Sequence, residues 1–550
     1  MRFADLIVQN AVVRTMDDAA PRAQAVAFIG GRVAHVGDNA DMAEWAGRGT
    51  EVLDAGGRTV LPGLTDSHTH FHRASMLESE YLDFATLDPS TLGDVLDAVK
   101  VRAGEKERGE WVQGDSLDPL RLDERRFPTR HELDAVTGGL PTVIRGVGRH
   151  VVAANSVALE LAGIDRTTQD PAGGRLERDA NGEPTGVLHE RGKLRLDATQ
   201  ADTVVPALDQ ATRLKALRAG FAQLQRLGIT TIHDIMREPR EISDYILMRT
   251  TGELGARIRF YPRAVEAQTR LEHILGLGLR TGLGDDMLRL AGIKVSVDGN
   301  LTVGNAALYE PYPDDGADQA LPGASANYGL VRVGPEVLRA TILDGHEAGL
   351  QVAVHAIGQR ALDIALNAFE DALGTAAVGH HHRIEHGFMP PRPGQLARMA
   401  ALGLVLSTQP SMLSSEGDSW LTLLGEERVR GVLPMRSALD AGLHVQINSD
   451  YPCSPLNPFI GVQAAVERRT RAGVLIGADE AITVGEALAM MTTAPAQTLH
   501  EDDVAGRLAP GYLGDAIVLS DDPWEVPVSS LAHLTVEATV LAGHLVHSRL

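Results

Sequence analysis

Short apolar runs mark both ends of the chain, and apolar positions recur with helical spacing through its middle. Residues 5–13, 25–29 and 32–37 have the make-up of strands, and Gly30-Gly31 between the last two is a strong hairpin signal. Residues 515–519 and 536–546 have the same character. Neither end holds enough apolar strands to close a sandwich alone, so the pattern predicts one small β-sandwich domain built from both termini, 1–60 and 500–550. From about 75 to 205, amphipathic stretches such as 91–99 and apolar strands such as 141–145 predict an inserted α/β subdomain.

From about 207 the order becomes regular, a helix and then a strand. A long helical window at 208–227 stops at Gly228, and strand candidates follow at 229–234, 258–261, 288–295, 350–355, 382–386, 402–407 and 444–450. With the segment that ends at His70 there are eight, most of them separated by helical stretches. Parallel strands need crossover helices, and eight of them close. The predicted fold class is therefore α/β: a (β/α)8 TIM barrel over 61–499, with the subdomain inserted after its first strand.

Length fits this division, since 550 residues exceed one ordinary domain. A formal net charge of -22 argues against a nucleic-acid partner, because duplex affinity comes mostly from Lys and Arg neutralising phosphates. No stretch approaches the roughly 18 apolar residues of a membrane span, and an acidic residue, Asp5, precedes any signal-like apolar core. Cys453 is the single cysteine, which fits a reducing compartment. A cytoplasmic protein with a small-molecule substrate, no nucleic acid and no membrane is expected, and a homo-oligomer stays open.

In such barrels chemistry sits where strands end. His68 and His70 end the first candidate strand, and alternation puts them on one face, where imidazoles suit zinc and similar divalent ions. Lys294 lies near the end of the fourth, His355 ends the fifth, His386 the sixth and Asp450 the eighth. Each has a plainer use: a hydrogen-bonded core histidine, a snorkelling lysine, an aspartate that starts a turn. What singles them out is that all fall at the same end of one barrel. His72 would share the face of His70 if the strand ran on, but a loop is predicted there.

Several stretches together resemble the amidohydrolase superfamily, in the family 3 type branch that includes N-substituted formamide deformylase. They are Pro62-Gly63-Leu64-Thr65-Asp66-Ser67-His68-Thr69-His70, Gly186-Val187-Leu188-His189-Glu190, Gly228-Ile229-Thr230-Thr231-Ile232-His233-Asp234, Lys294 with Asp298-Gly299, His355-Ala356-Ile357-Gly358, Arg383-Ile384-Glu385-His386 and Ser449-Asp450. The resemblance runs over nearly the whole chain and implies a divalent metal site, commonly zinc, of one or two ions. It places His68, His70 and Asp450 on one ion and His355 and His386 on a second, bridged by Lys294 carboxylated on its amine by carbon dioxide. A free ammonium has no lone pair, whereas a carbamate offers anionic oxygens.

The resemblance also implies attack by metal-activated water, with Asp450 taking a proton from the nucleophile and returning it to the leaving nitrogen. The inserted segment resembles a cover, with His150 and Asn155 as candidate substrate residues. Leu117 and Ala153 stand where the family often has tryptophan, and Asn305 and Gln359 replace a usual threonine and aspartate, which implies an altered pocket. The expected reaction is cleavage of a C–N bond in an amide, formamide or cyclic amide. An ester, lactone, carbamate or carbon–carbon bond is the alternative, as is a non-catalytic binding protein on the same scaffold.

Overall fold

The computed structural model of the chain describes residues 3–146, 151–171, 174–196, 203–265, 270–302, 304–313, 326–374 and 379–550. The chain divides into two compact units, Met1–His72 with Gly220–Leu550, and Arg73–Ala219.

The first unit is built on parallel strands joined by helices. Leu64–Thr69, Ile229–Met236, Arg257–Pro262 and Leu288–Leu290 form one sheet, and Gly292–Ser296, Gln351–Ala356, Arg383–His386, Val405–Thr408 and His444–Ile447 form another. Isolated parallel bridges link the two sheets, Thr69 with Tyr451 on one side and Arg263 with Lys294 on the other. The stretch expected as a single strand at 288–295 is two strands, because the chain changes neighbours at Ala291. Leu288–Leu290 pairs with Ile258–Phe260, whereas Gly292–Ser296 pairs with Gln351–His355.

Alternation sorts the side chains of these strands. Ile293, Val295, Val352, Val354, Ile384, Leu406, Val445 and Ile447 turn one way and pack with Leu338 and Ile342 of helix Pro335–Glu347 and Ala365 and Phe369 of helix Gln359–Leu373. Their neighbours Lys294, Arg383, Glu385, Ser407 and Gln446 face the other way and are buried as well. A fully buried polar face must find its partners inside the protein, and Arg383 shows how. Its guanidinium donates to Tyr261 Oη at 2.9 Å, Ser67 O at 2.7 Å and Ser407 Oγ at 3.1 Å, and lies 2.6 Å from Glu385 Oε1.

The N-terminal segment forms one further sheet of this unit and shares a second with the C-terminal segment. A four-stranded sheet pairs Leu6–Gln9 with Ala25–Ile29 and Glu51–Asp54, and a six-stranded sheet sets Thr59–Pro62 beside Ala516–Leu519. Phe28, Val8 and Leu53 of the first share one apolar cluster with Val60, Val518 and Val540 of the second. Gly63 joins Thr59–Pro62 to the parallel strand that begins at Leu64, and a side chain there would collide with that of Thr230.

The unit Arg73–Ala219 holds a six-stranded mixed sheet whose core strands are Val112–Leu117, Thr142–Gly146, Val151–Ala154 and Pro184–Glu190. Helices Leu92–Gly104 and Arg130–Thr137 start with reciprocal capping boxes at Thr91 and Thr129. Leu117 and Ala153 are buried in its apolar core. Among the described residues no helix is long and apolar enough to cross a membrane.

Candidate metal centre

His68 lies in strand Leu64–Thr69 and His70 directly follows it, and the two rings are 5.7 Å apart, both turned to Asp450. Asp450 follows strand His444–Ile447. Its backbone N–H donates to His68 O at 2.9 Å, and His70 N–H donates to Tyr451 O at 2.7 Å, so the two segments are stitched beside the three side chains. Asp66 adds to the seam: its carboxylate accepts from Ser449 N at 3.1 Å and from Ser449 Oγ at 2.5 Å.

Nε2 of His68 and Nε2 of His70 each lie 3.5 Å from Asp450 Oδ1. Among the described residues these are the only three His, Cys, Asp or Glu side chains that bring ligand atoms within 4.8 Å of one another. Four donors set tetrahedrally about a zinc ion at roughly 2.1 Å stand about 3.4 Å apart, close to the spacing seen. His68 Nε2 and Asp450 Oδ1 are buried with no hydrogen-bond partner among the described residues. Buried polar atoms almost always have partners, and two convergent orphans that each offer a lone pair, an imidazole nitrogen and a carboxylate oxygen, fit a cation.

The remaining candidates surround these three. The His386 ring is 5.3 Å from His68 and 4.3 Å from His355, and its Nδ1 is 3.9 Å from Asp450 Oδ2. Lys294 is buried on strand Gly292–Ser296, where burial first, then the charges of Arg263 and Arg383, push its amine down to about 7 against the pull of Glu385 and Asp450. Burial and the Lys294 charge hold His68 and His355 well below the usual imidazole range, and burial, His355 and Lys294 do so for His386. Neutral imidazoles keep the lone pair that a metal needs. Burial also raises the Asp450 carboxyl to about 8, with Lys294 opposing, the penalty that a neighbouring cation would reverse.

Hydrogen bonds fix which nitrogen of each ring carries that lone pair. His68 Nδ1 meets Glu385 Oε2 at 2.5 Å, His70 Nδ1 meets Ile235 O at 3.2 Å and His386 Nδ1 meets Gln409 Oε1 at 2.9 Å. Gln409 is held in that orientation by its own amide, which donates to Asn448 Oδ1 at 2.6 Å. These acceptors leave Nε2 as the basic nitrogen of His68, His70 and His386. His355 is the reverse, since its Nε2 meets Gly299 O at 2.9 Å and leaves Nδ1 basic.

Two of these residues adopt left-handed backbone, His386 at φ 76° and Asp450 at φ 53°. Such strain at non-glycine positions gathers at functional sites. In His386 it has a visible use. Alternation alone would send Glu385 and His386 to opposite faces of their strand, and the left-handed turn brings both to the same centre.

Glu385 and Gln409 were not singled out from the sequence. Glu385 stood inside the Arg-Ile-Glu-His stretch, but its partners His68 and Arg383 are recognisable only in space. Glu385→Gln is expected to weaken metal binding by about 10–100-fold and to cost about 3–5 kcal/mol by leaving Arg383 as a buried charge without its counter-ion. Competition with a chromophoric chelator and urea unfolding measure the two effects.

His72 is a correction. It lies in helix Phe71–Glu80 rather than in a loop, and its Nε2 is 3.0 Å from Asp244 Oδ2. The helix starts because Asp234 accepts the N–H groups of Phe71 at 2.6 Å and His72 at 3.3 Å. Of the two substrate candidates, His150 lies outside the described residues. Asn155 is fully buried and caps helix Ser156–Ala162, accepting from Ala158 N and Thr142 N and donating to Leu140 O and Thr137 Oγ1. All its hydrogen bonds are made within its own unit.

Parallel strands that gather neutral imidazoles and an aspartate at one end define a metal-site α/β protein. The Amidohydro_3 profile of the amidohydrolase family matches residues 51–547, and the chain belongs to that family. It is 31% identical to N-substituted formamide deformylase of Arthrobacter pascens over 556 residues, covering 100% of this chain and 99% of that protein. It is 30% identical to the protein LONG AFTER FAR-RED 3 of Arabidopsis thaliana, covering 98% and 91%. Among solved structures, an uncharacterized metal-dependent hydrolase from Pyrococcus horikoshii OT3 matches with a TM-score of 0.76 at 26% identity, covering 95% of this chain and 99% of that one.

Proposed function

We propose that the chain is a metal-dependent hydrolase that cleaves a C–N bond of an amide, formamide or cyclic amide. We further infer that its parallel strands close as a (β/α)8 barrel, with the terminal sheets as a β-sandwich domain. The observation that carries the reading is the convergence of His68 Nε2, His70 Nε2 and Asp450 Oδ1, the first and last of them buried with no hydrogen-bond partner among the described residues. The deformylase relative supports the choice of bond.

In this reading His68, His70 and Asp450 would hold one divalent ion, zinc by the chemistry of the donor set, and His355, His386 and Lys294, as its carbamate, would supply ligands for a second. A bound ion of this kind acidifies water and polarises a carbonyl. The chain's own residues do the rest. Glu385 fixes the tautomer of His68, and Arg383 holds Glu385 in place from 2.6 Å away. Ile235 O and Gln409 do the same for His70 and His386. Asp450 takes the proton of the attacking water at its carboxylate and delivers it to the departing nitrogen, so that an amine and a carboxylate leave.

Dialysis against a chelator is expected to abolish hydrolysis, and added zinc to restore it, across a screen of formamides, N-acyl amino acids, cyclic amides and lactones. Turnover that survives complete metal removal would refute the reading. Preferred turnover of lactones would move the scissile bond from C–N to C–O.

A further inference from the structure

Glu416 is a carboxylate that the chemistry above leaves unused. It lies on helix Ser411–Leu424, which directly follows strand Val405–Thr408 and so starts at the same strand ends as the metal centre. Two contact paths connect it to that centre. Phe388 packs on the His386 ring at 5.5 Å and on Trp420 at 5.5 Å, and Trp420 is one helical turn from Glu416. From the other side, Gly299 O meets His355, and the same loop reaches Thr302, whose hydroxyl donates to Glu416 Oε2.

The hydrogen bonds here have one direction. An indole N–H can only donate, so Trp420 Nε1 gives its proton to Thr302 Oγ1 at 3.1 Å. The Thr302 hydroxyl then spends its single proton on Glu416. The relay ends on an acceptor, as suits an ionised carboxylate. Among the described residues no Lys, Arg or His lies within ion-pair distance of it. Glu416 is half-buried, and desolvation raises its carboxyl against the Thr302 hydrogen bond. A carboxylate crowded by protein, reached by solvent and without a counter-ion among the described residues is a ready partner for a cation.

The geometry points to Glu416 as a specificity-determining residue that binds a cationic nitrogen, an ammonium or amidinium, on the part of the substrate away from the scissile carbonyl. This rests on the hydrolase reading for the reaction, and it names the class of substrate: amides whose amine or acyl portion carries a second, positively charged nitrogen.

A matched pair of compounds tests it. N-(5-aminopentyl)formamide and N-hexylformamide differ only in an ammonium in place of a methyl group. With zinc-loaded wild type, kcat/KM is expected to favour the aminopentyl compound by about tenfold or more, carried mainly by KM. In Glu416→Gln the ratio should fall to near one, and Glu416→Asp should recover part of it. Because the readout is a ratio within each protein, a general loss of activity does not mimic the effect. A ratio near one in wild type, or a preference that survives in Glu416→Gln, overturns the assignment.

If wild type turns over neither compound, these formamides are not its substrates, and calorimetric binding of the same pair still judges Glu416. Tighter binding of the aminopentyl compound that is lost in Glu416→Gln supports the assignment. Equal affinities, or no binding of the charged compound, overturn it.

Discussion

Asp450→Asn is expected to lower kcat/KM by about 10²–10⁴-fold, the range that a positioned proton-transfer group supplies. Bound metal should stay near normal, because the histidines keep their lone pairs and the Glu385, Ile235 and Gln409 contacts that aim them. Activity close to wild type would remove Asp450 from proton transfer. The metal-free protein gives a second readout. Burial raises the Asp450 carboxyl from 3.8 to about 8, so the folded chain retains a proton that the unfolded chain has released. Between those two values the metal-free wild type loses stability as pH rises, and this part of the loss is absent from Asp450→Asn. Thermal unfolding of both proteins from pH 4 to 8 shows it as a gap that widens towards the alkaline end.

The second large effect is on metal content. His68→Ala or His70→Ala each removes one of the two nitrogens that face Asp450 Oδ1, and either should weaken metal binding by more than the about 10–100-fold that an outer hydrogen-bonding partner contributes. His273→Ala is the control, since that ring is exposed in helix Leu271–Gly276. Elemental analysis of the three purified variants gives the comparison. Unchanged metal in both His68→Ala and His70→Ala would take these residues out of the ligand set.

Much of this centre was legible in the sequence because its main signals are local. The single residue between His68 and His70 sets both on one strand face, and apolar runs that end in His355, His386 and Asp450 mark strand ends without any tertiary knowledge. What stayed hidden depends on contacts across long separations. The helix at Phe71 is capped by Asp234, which no reading of residues 70–80 could supply. Glu385 serves His68 from 317 positions away. The change of partners at Ala291 leaves no local mark, since both halves of 288–295 carry strand composition. Asn155 drew attention through its motif, and its local signal, an Asn-Ser pair opening an apolar helical run, was that of an N-cap.

The resemblance to amidohydrolases is matched by family membership over 51–547 and by a relative of the same length. The chemistry depends on something narrower: side-chain atoms of His68, His70 and Asp450, on distant segments, facing one another across a gap of atomic size. That is a claim about position, and diffraction can check it directly. Crystals of zinc-loaded protein measured on both sides of the zinc absorption edge should show an anomalous peak roughly 2.0–2.2 Å from His68 Nε2, His70 Nε2 and an oxygen of Asp450. A map with no peak between those three atoms, at full zinc loading, would contradict the account.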